Sequence, residues 1–267
     1  MFKTRLFSGI ILVILALILI ILGGNILLAS LLVISLIGMF ELYRIFQIEK
    51  CAVGAAGYIA VIVFYADLWQ SFLSDPMLLV MGLLVCLMFV YVFTYPKYKT
   101  EQILAAFFGV FYVAVMLSCI YQTRILEKGA YIVWLIFLCS WGCDTCAYCV
   151  GVLIGKHKMS PKLSPKKSVE GAVGGVIGSM LLTLLYVWIF KEQMQADAEE
   201  IVILPLISGA GALISMVGDL AASAVKRNYN LKDYGKLIPG HGGILDRFDS
   251  VIFTAPVIYY LTVYLMK

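Results

Sequence analysis

Charge is what this chain has least of. Asp, Glu, Lys and Arg make up 13% of its 267 residues against 63% hydrophobic, and it has two histidines, His157 and His241. Mean hydropathy is +0.99. A soluble domain is about half apolar and about a quarter charged, so the composition excludes one and points to a protein that crosses a membrane repeatedly. The formal charge of +4 is then a matter of loops and topology, not a nucleic-acid footprint, and no nucleic-acid partner is expected. A clean signal-peptide cleavage site is missing too. The first apolar run, Leu6 to Leu22, follows Lys3 and Arg5 as a signal sequence would, but Gly23-Gly24-Asn25 turns straight into a second apolar run, which predicts a helical hairpin. No internal repeat signals a transporter built of inverted halves. Seven cysteines are present, at 51, 86, 119, 139, 143, 146 and 149, all in or beside apolar stretches; they read as small apolar packing residues, not as a disulfide framework.

What is abundant is apolar sequence in lengths near the roughly 20 residues of a bilayer crossing. Nine runs are predicted as helices: 6–22, 26–42, 52–72, 77–95, 103–121, 130–154, 171–190, 201–225 and 251–266. With the N-terminus inside, sixteen of the twenty Lys and Arg lie on the inner side, leaving Arg124, Lys128, Lys191 and Lys267 outside. The positive-inside rule therefore predicts an all-α, polytopic transmembrane protein of about nine transmembrane helices, N-in/C-out. Residues 1–125 hold the N-terminal helices, expected to serve lipid access and oligomer contact. Residues 126–267 hold the catalytic region, with cytoplasmic loops 155–170 and 226–249.

Polar chemistry is concentrated in four places in the C-terminal half. On a helix over Gly218 to Arg227, Asp219, Ser223, Lys226 and Arg227 share one face. The turn Pro239-Gly240-His241-Gly242-Gly243 cannot be regular helix and lets backbone N–H groups approach a ligand; Asp246 and Asp249 follow it at i, i+3. Asp144 lies in an otherwise apolar helix, where an ionisable residue is costly and functional by default. The loop after that helix carries Lys166, Lys167 and Ser168, and Ser168 can cap the next helix beside two cations, a ready anion site. Carboxylates for a divalent cation, cations for phosphates and a glycine turn are equipment for phosphoryl or nucleotidyl transfer. The Cys143-x-x-Cys146-x-x-Cys149 spacing matches part of an iron–sulfur run but lacks its fourth ligand and Cys-Pro ending, so packing is the reading adopted.

The strings Ser164-Pro165-Lys166-Lys167-Ser168-x-Glu170-Gly171, Asp144-Thr145-x-Ala147-Tyr148-x-x-Gly151, Ser223-x-Val225-Lys226-Arg227, Lys232-Asp233-x-Gly235 and Ile238-Pro239-x-His241-Gly242-Gly243-Ile244-x-Asp246-Arg247-Phe248-Asp249 together resemble the signature of phosphatidate cytidylyltransferases (CDP-diacylglycerol synthases). The resemblance implies a nucleotidyltransferase that converts CTP and phosphatidate to CDP-diacylglycerol and pyrophosphate with Mg2+ and room for a second ion, and it implies a homodimer. Asp219 and Asp246 are the leading metal ligands, with Asp144 and Asp249 next. Lys166, Lys167, Ser168, Lys226 and Arg227 are assigned to phosphates, Ser223 to metal or phosphate, and Lys232, His241 and Arg247 to nucleotide or pyrophosphate. The expected location is a bacterial cell (inner) membrane, with the active site facing the cytoplasm. Two rivals are a CTP-dependent polyprenol or phytol kinase, and a cation-coupled transporter; the latter leaves the glycine turn without a job.

Overall fold

A computed structural model describes residues 2–240 and 242–266, with side chains from residue 9 onward. His241, one of the expected nucleotide-binding residues, lies outside the described residues. Each expected apolar run corresponds to one helix: α1 (Phe2–Leu22), α2 (Gly24–Ile45), α3 (Ala52–Gln70), α4 (Met77–Phe93), α5 (Thr100–Arg124), α6 (Gly129–Ile154), α7 (Val169–Met194), α8 (Ala198–Asn228) and α9 (Leu245–Leu265). Two helices contain a π-helical turn, Val110–Val115 in α5 and Leu138–Gly142 in α6. The loop between α6 and α7 is more ordered than expected. It forms an antiparallel ribbon of β1 (Lys158–Ser160) and β2 (Ser164–Ser168), with Lys158 opposite Ser168 and Ser160 opposite Ser164.

The architecture is that of an all-α polytopic membrane protein. Among the described residues seven helices, α2, α3 and α5 to α9, are long and apolar enough to cross a membrane by length and composition. Of the nine expected crossings, α4 is the one that is short. The described side chains of α1 begin at Gly9, so its full length stands outside the comparison, whereas in α4 17 residues at 1.5 Å each rise only about 26 Å against a hydrocarbon core of about 30 Å.

By its internal contacts the chain divides into two compact units, Met1–Tyr121 with Asp233–Asp246, and Gln122–Lys232 with Arg247–Lys267. The first is organised around Tyr43, whose side chain is fully buried and whose hydroxyl donates to the Ala106 carbonyl at 2.6 Å. A Cβ on Gly57 of α3 would sit 2.2 Å from that hydroxyl oxygen, and one on Gly109 of α5 2.4 Å from the ring. Small residues thus let three helices close on one aromatic, the way membrane helices pack when burial from water gives no drive. Nearby, Tyr65 donates to the carbonyl of Ala114, inside the π turn of α5, at 3.3 Å, and Ser35 lies 2.9 Å from the same phenol oxygen. With its one proton committed to Ala114, Tyr65 accepts from Ser35. Every buried hydroxyl in that set has a partner, as an apolar surround demands.

In the second unit α6 and α7 meet along a glycine seam. A Cβ on Gly171 would lie 2.7 Å from the Ala147 carbonyl, one on Gly175 2.9 Å from Cys143 Sγ, and one on Gly178 2.6 Å from Cys146 Sγ. The cysteines are therefore knobs against glycine, and all seven in the chain are free thiols. Between α7 and α8, Thr183 donates to Ser208 Oγ at 2.8 Å, and Ser208 and Ser179 are bonded at 2.8 Å. This hydroxyl chain fixes the register of two helices where no water competes. Gly218 does for α8 and α9 what the seam does for α6 and α7: its absent Cβ would lie 2.9 Å from the Asp249 carbonyl and 2.8 Å from the Phe253 ring.

Candidate active site

The close approach of α6, α7, α8 and α9 gathers four of the expected residues. Asp144 projects from α6 just beyond its π turn, Lys167 from β2, Asp219 from α8 and Asp249 from the first turns of α9. The Lys167 ammonium is ion-paired with Asp219 Oδ2, both side chains about a quarter exposed. Asp144 and Asp249 act electrostatically on the same lysine. Burial works to lower the Lys167 pKa, but the carboxylates of Asp219, Asp144 and Asp249 outweigh it and raise the value above that of an ordinary lysine. The lysine is thus the internal counter-ion of an acidic cluster.

The positive side of the cluster comes from α8 and α9. Lys226 and Arg247 act on Asp249, and Arg247 also acts on Asp144. The Arg247 Nε is buried and, among the described residues, has no hydrogen-bond partner. A buried guanidinium N–H left open costs free energy unless a ligand completes it, and a planar fork suits phosphate. Asp249 Oδ1 accepts from the Ser250 amide at 2.8 Å, which holds that carboxylate at the start of α9.

Ser168 caps α7 as expected, its hydroxyl accepting from the Gly171 amide at 3.1 Å. Lys166 is exposed on β2, two residues before that cap. The face expected on α8 is real: Asp219, Ser223, Lys226 and Arg227 lie on one continuous helix, with Ser223 half-buried and Lys226 and Arg227 in its last turn. The Arg227 guanidinium donates to the Leu231 carbonyl at 3.2 Å, tying the chain as it leaves the helix. Lys232 is exposed in the following loop.

In the first unit the glycine turn also forms. Gly240 and Gly242 have φ of 80° and 86°, and the Ile238 amide donates to the Gly242 carbonyl at 2.8 Å. One of its amides, that of Gly243, serves the chain's own Asp246 carboxylate. Asp246 is buried, and its Oδ2 accepts from Tyr234 at 2.7 Å and Gly243 at 3.0 Å. Glu41 and Arg44, given no role on sequence grounds, hold the same loop through the Ile244 and Leu245 amides and the Tyr234 carbonyl. The sequence did carry one signal for Glu41: an acid in the last turns of an apolar helix opposes the helix dipole and needs a partner.

Among the described residues, no group of three or more His, Cys, Asp or Glu side chains converges to hold one ion. The donor set nevertheless fits Mg2+, which keeps waters and is held by one or two carboxylates together with substrate phosphates. Asp219 and Asp249 are near enough to act on each other.

Against this geometry the comparisons are direct. The sequence matches the cytidylyltransferase family over residues 3–265. It is 30% identical to phosphatidate cytidylyltransferase of Staphylococcus aureus (strain COL), over 98% of this chain and 99% of that protein. It is 32% identical to the protein of that name from Staphylococcus epidermidis (strain ATCC 35984), again over 98% and 99%, and 30% identical to that of Staphylococcus haemolyticus (strain JCSC1435) over the same shares. A match that runs over residues 3–265, with relatives 30% and 32% identical over 98% of the chain, places this chain in the cytidylyltransferase family.

Proposed function

We propose that the chain transfers the cytidylyl group of CTP to phosphatidate, giving CDP-diacylglycerol and pyrophosphate. The observation that carries the reading is the second unit's cluster: three carboxylates with Lys167 as their counter-ion, beside a buried guanidinium N–H that has no acceptor among the described residues. A phosphate oxygen of phosphatidate attacks the α-phosphorus of CTP. A new P–O–P bond forms, the bond from the α-phosphorus to the oxygen bridging to the β-phosphorus breaks, and pyrophosphate leaves with that electron pair. The nucleophile is already an anion, so no strong base is needed and no carboxylate has to move a proton.

The difficulty is repulsion between two polyanions, which fixed cations relieve. Lys167, Lys226 and Arg247 would face the phosphates, with Lys166 and the capped start of α7 on one side and Arg227, Lys232 and Ser223 along α8 and its exit. His241 is assigned to nucleotide or pyrophosphate on its sequence position. Asp219 and Asp249, with Asp144 behind them, would hold Mg2+; when bound, the ion neutralises phosphate charge and draws electron density from the α-phosphorus. The assignment of Asp246 as a further ligand rests on the sequence pattern. The lysine and arginine count favours a cytoplasm-facing site in a bacterial inner membrane, and a homodimer is proposed from the resemblance.

The test is incorporation of label from CTP into chloroform-soluble product by the purified protein with phosphatidate vesicles. Label in the α-phosphate should enter lipid and label in the γ-phosphate should stay in the aqueous phase as pyrophosphate. Transfer of the γ-label instead would make the protein a lipid kinase, and no CTP-dependent labelling would leave the transporter reading.

A further inference from the structure

We propose that Glu41, in α2, is a positioning residue for the reaction, which sets the first turn of α9. The inference rests on the reading that this turn, with Arg247 and Asp249, carries part of the site. Glu41 is 4% exposed. Its Oε1 accepts from the Ile244 amide at 3.1 Å and its Oε2 from the Leu245 amide at 2.9 Å. These amides stand at the N-terminus of α9, where helical N–H groups have no partner within the helix. A carboxylate there meets the positive end of the dipole as well.

The residue comes from some two hundred positions earlier in the chain, and the loop is shaped around it. A Cβ on Gly243 would lie 2.3 Å from Glu41 Oε2, and one on Gly235 2.3 Å from Oε1. No side chain fits at either glycine while the carboxylate stays. One turn further along α2, Arg44 donates to the Tyr234 carbonyl at 2.6 Å. Asp246 takes the Tyr234 and Gly243 amides from the other side. The segment 234–246 is thus gripped at both ends by charged groups, and two of the three lie on α2.

A buried carboxylate is expensive, and a cap for helix stability alone needs only a local Ser, Thr, Asp or Asn at the helix start. The position before α9 is Ile244, which cannot cap. The capping group has been moved onto another helix, so the start of α9 is referenced to α2 instead of to its own loop. A misplacement of about 1 Å at reacting groups can cost about 10²-fold in rate, and that is the scale on which such a reference matters.

The experiment uses the full-length protein in phosphatidate-containing micelles. Glu41→Gln keeps the shape but turns an amide N–H toward a backbone N–H; Glu41→Asp keeps the charge on a shorter stem. Glu41→Gln should lower kcat about tenfold or more with both KM values within about twofold, and Glu41→Asp should recover part of it. Hydrogen exchange in a peptide covering 242–249 should speed up in Glu41→Gln, while a peptide from the Tyr43-packed part of α5 stays unchanged. Unaltered kcat per folded molecule in Glu41→Gln, with only a lower thermal midpoint, would reduce Glu41 to a stabilising cap and overturn the proposal. So would unchanged exchange at 242–249. Wild-type protein that fails to make CDP-diacylglycerol would defeat the functional reading, while the exchange comparison still reports whether Glu41 holds the helix.

Discussion

Lys167 is the residue on which the charge balance of the site turns. With it gone, Asp144, Asp219 and Asp249 would face one another across a space with one cation fewer. Lys167→Met should therefore abolish turnover, by about 100-fold or more, while the protein still inserts and elutes as the wild type does. Steady-state rates on matched amounts of folded protein check this. The pH dependence follows from sign. The folded pKa of Lys167 lies above the ordinary lysine value, so the stabilisation it brings is complete below the unfolded value of about 10.4 and is lost only as pH rises through the higher folded one. No loss of thermal stability between pH 7 and about 9.5 should disappear in Lys167→Met; a limb in that window that vanishes with the lysine would contradict the assignment. Asp219→Asn keeps the size and removes the charge that pairs with the lysine. It should cost about 100-fold or more in kcat at ordinary magnesium, and near-normal turnover would remove Asp219 from the site.

At the scale of elements, close approach through glycine does the positioning. Gly218→Ala adds a Cβ that would sit 2.9 Å from a backbone oxygen of α9, and backbone cannot swing aside as a side chain can. The two helices must part, carrying Asp219 from Asp249, so activity should fall about tenfold or more. Gly82→Ala in α4 is the control, since nothing lies within 4 Å of its Cβ position; CTP incorporation by the two variants side by side decides the point. Much of this arrangement was legible in sequence. Apolar runs of bilayer length, the i, i+4, i+7 face on α8, the Ser168 cap and the glycine turn are all local patterns, and each was read from its own neighbourhood. What escaped was long-range. The partner of Glu41 is at Ile244, and nothing near Glu41 in sequence names it. The α6–α7 seam is invisible until the two helices are laid together, because a glycine in an apolar run has many uses. The π turn before Asp144 depends on what packs against it, and the β1–β2 ribbon hides in a stretch with two prolines that reads as loop.

For the molecule as a whole, the orientation argument can be put to a direct test at exposed loop positions. Tyr234 is 1% exposed, so a reporter thiol there would stay unlabelled on either side. Lys162 and Lys236 are exposed. Single cysteines at these two positions, in a background stripped of the seven native thiols, should react with an impermeant reagent only after the membrane is opened; labelling on intact cells would reverse the N-in/C-out assignment. The Lys167–Asp219 pair bears finally on how the protein comes to maturity. An acidic cluster that depended on a divalent ion would be a folding liability, since each new chain would have to find its ion before its helices could settle. Here a lysine on the β2 ribbon already stands as counter-ion, which would uncouple assembly of the helices from metal supply. Cells starved of magnesium should accumulate correctly folded, idle enzyme ready to be loaded, and chelation during purification should leave the melting temperature within about 2 °C of the untreated value, a shift below that of about 1 kcal/mol in a domain of this size.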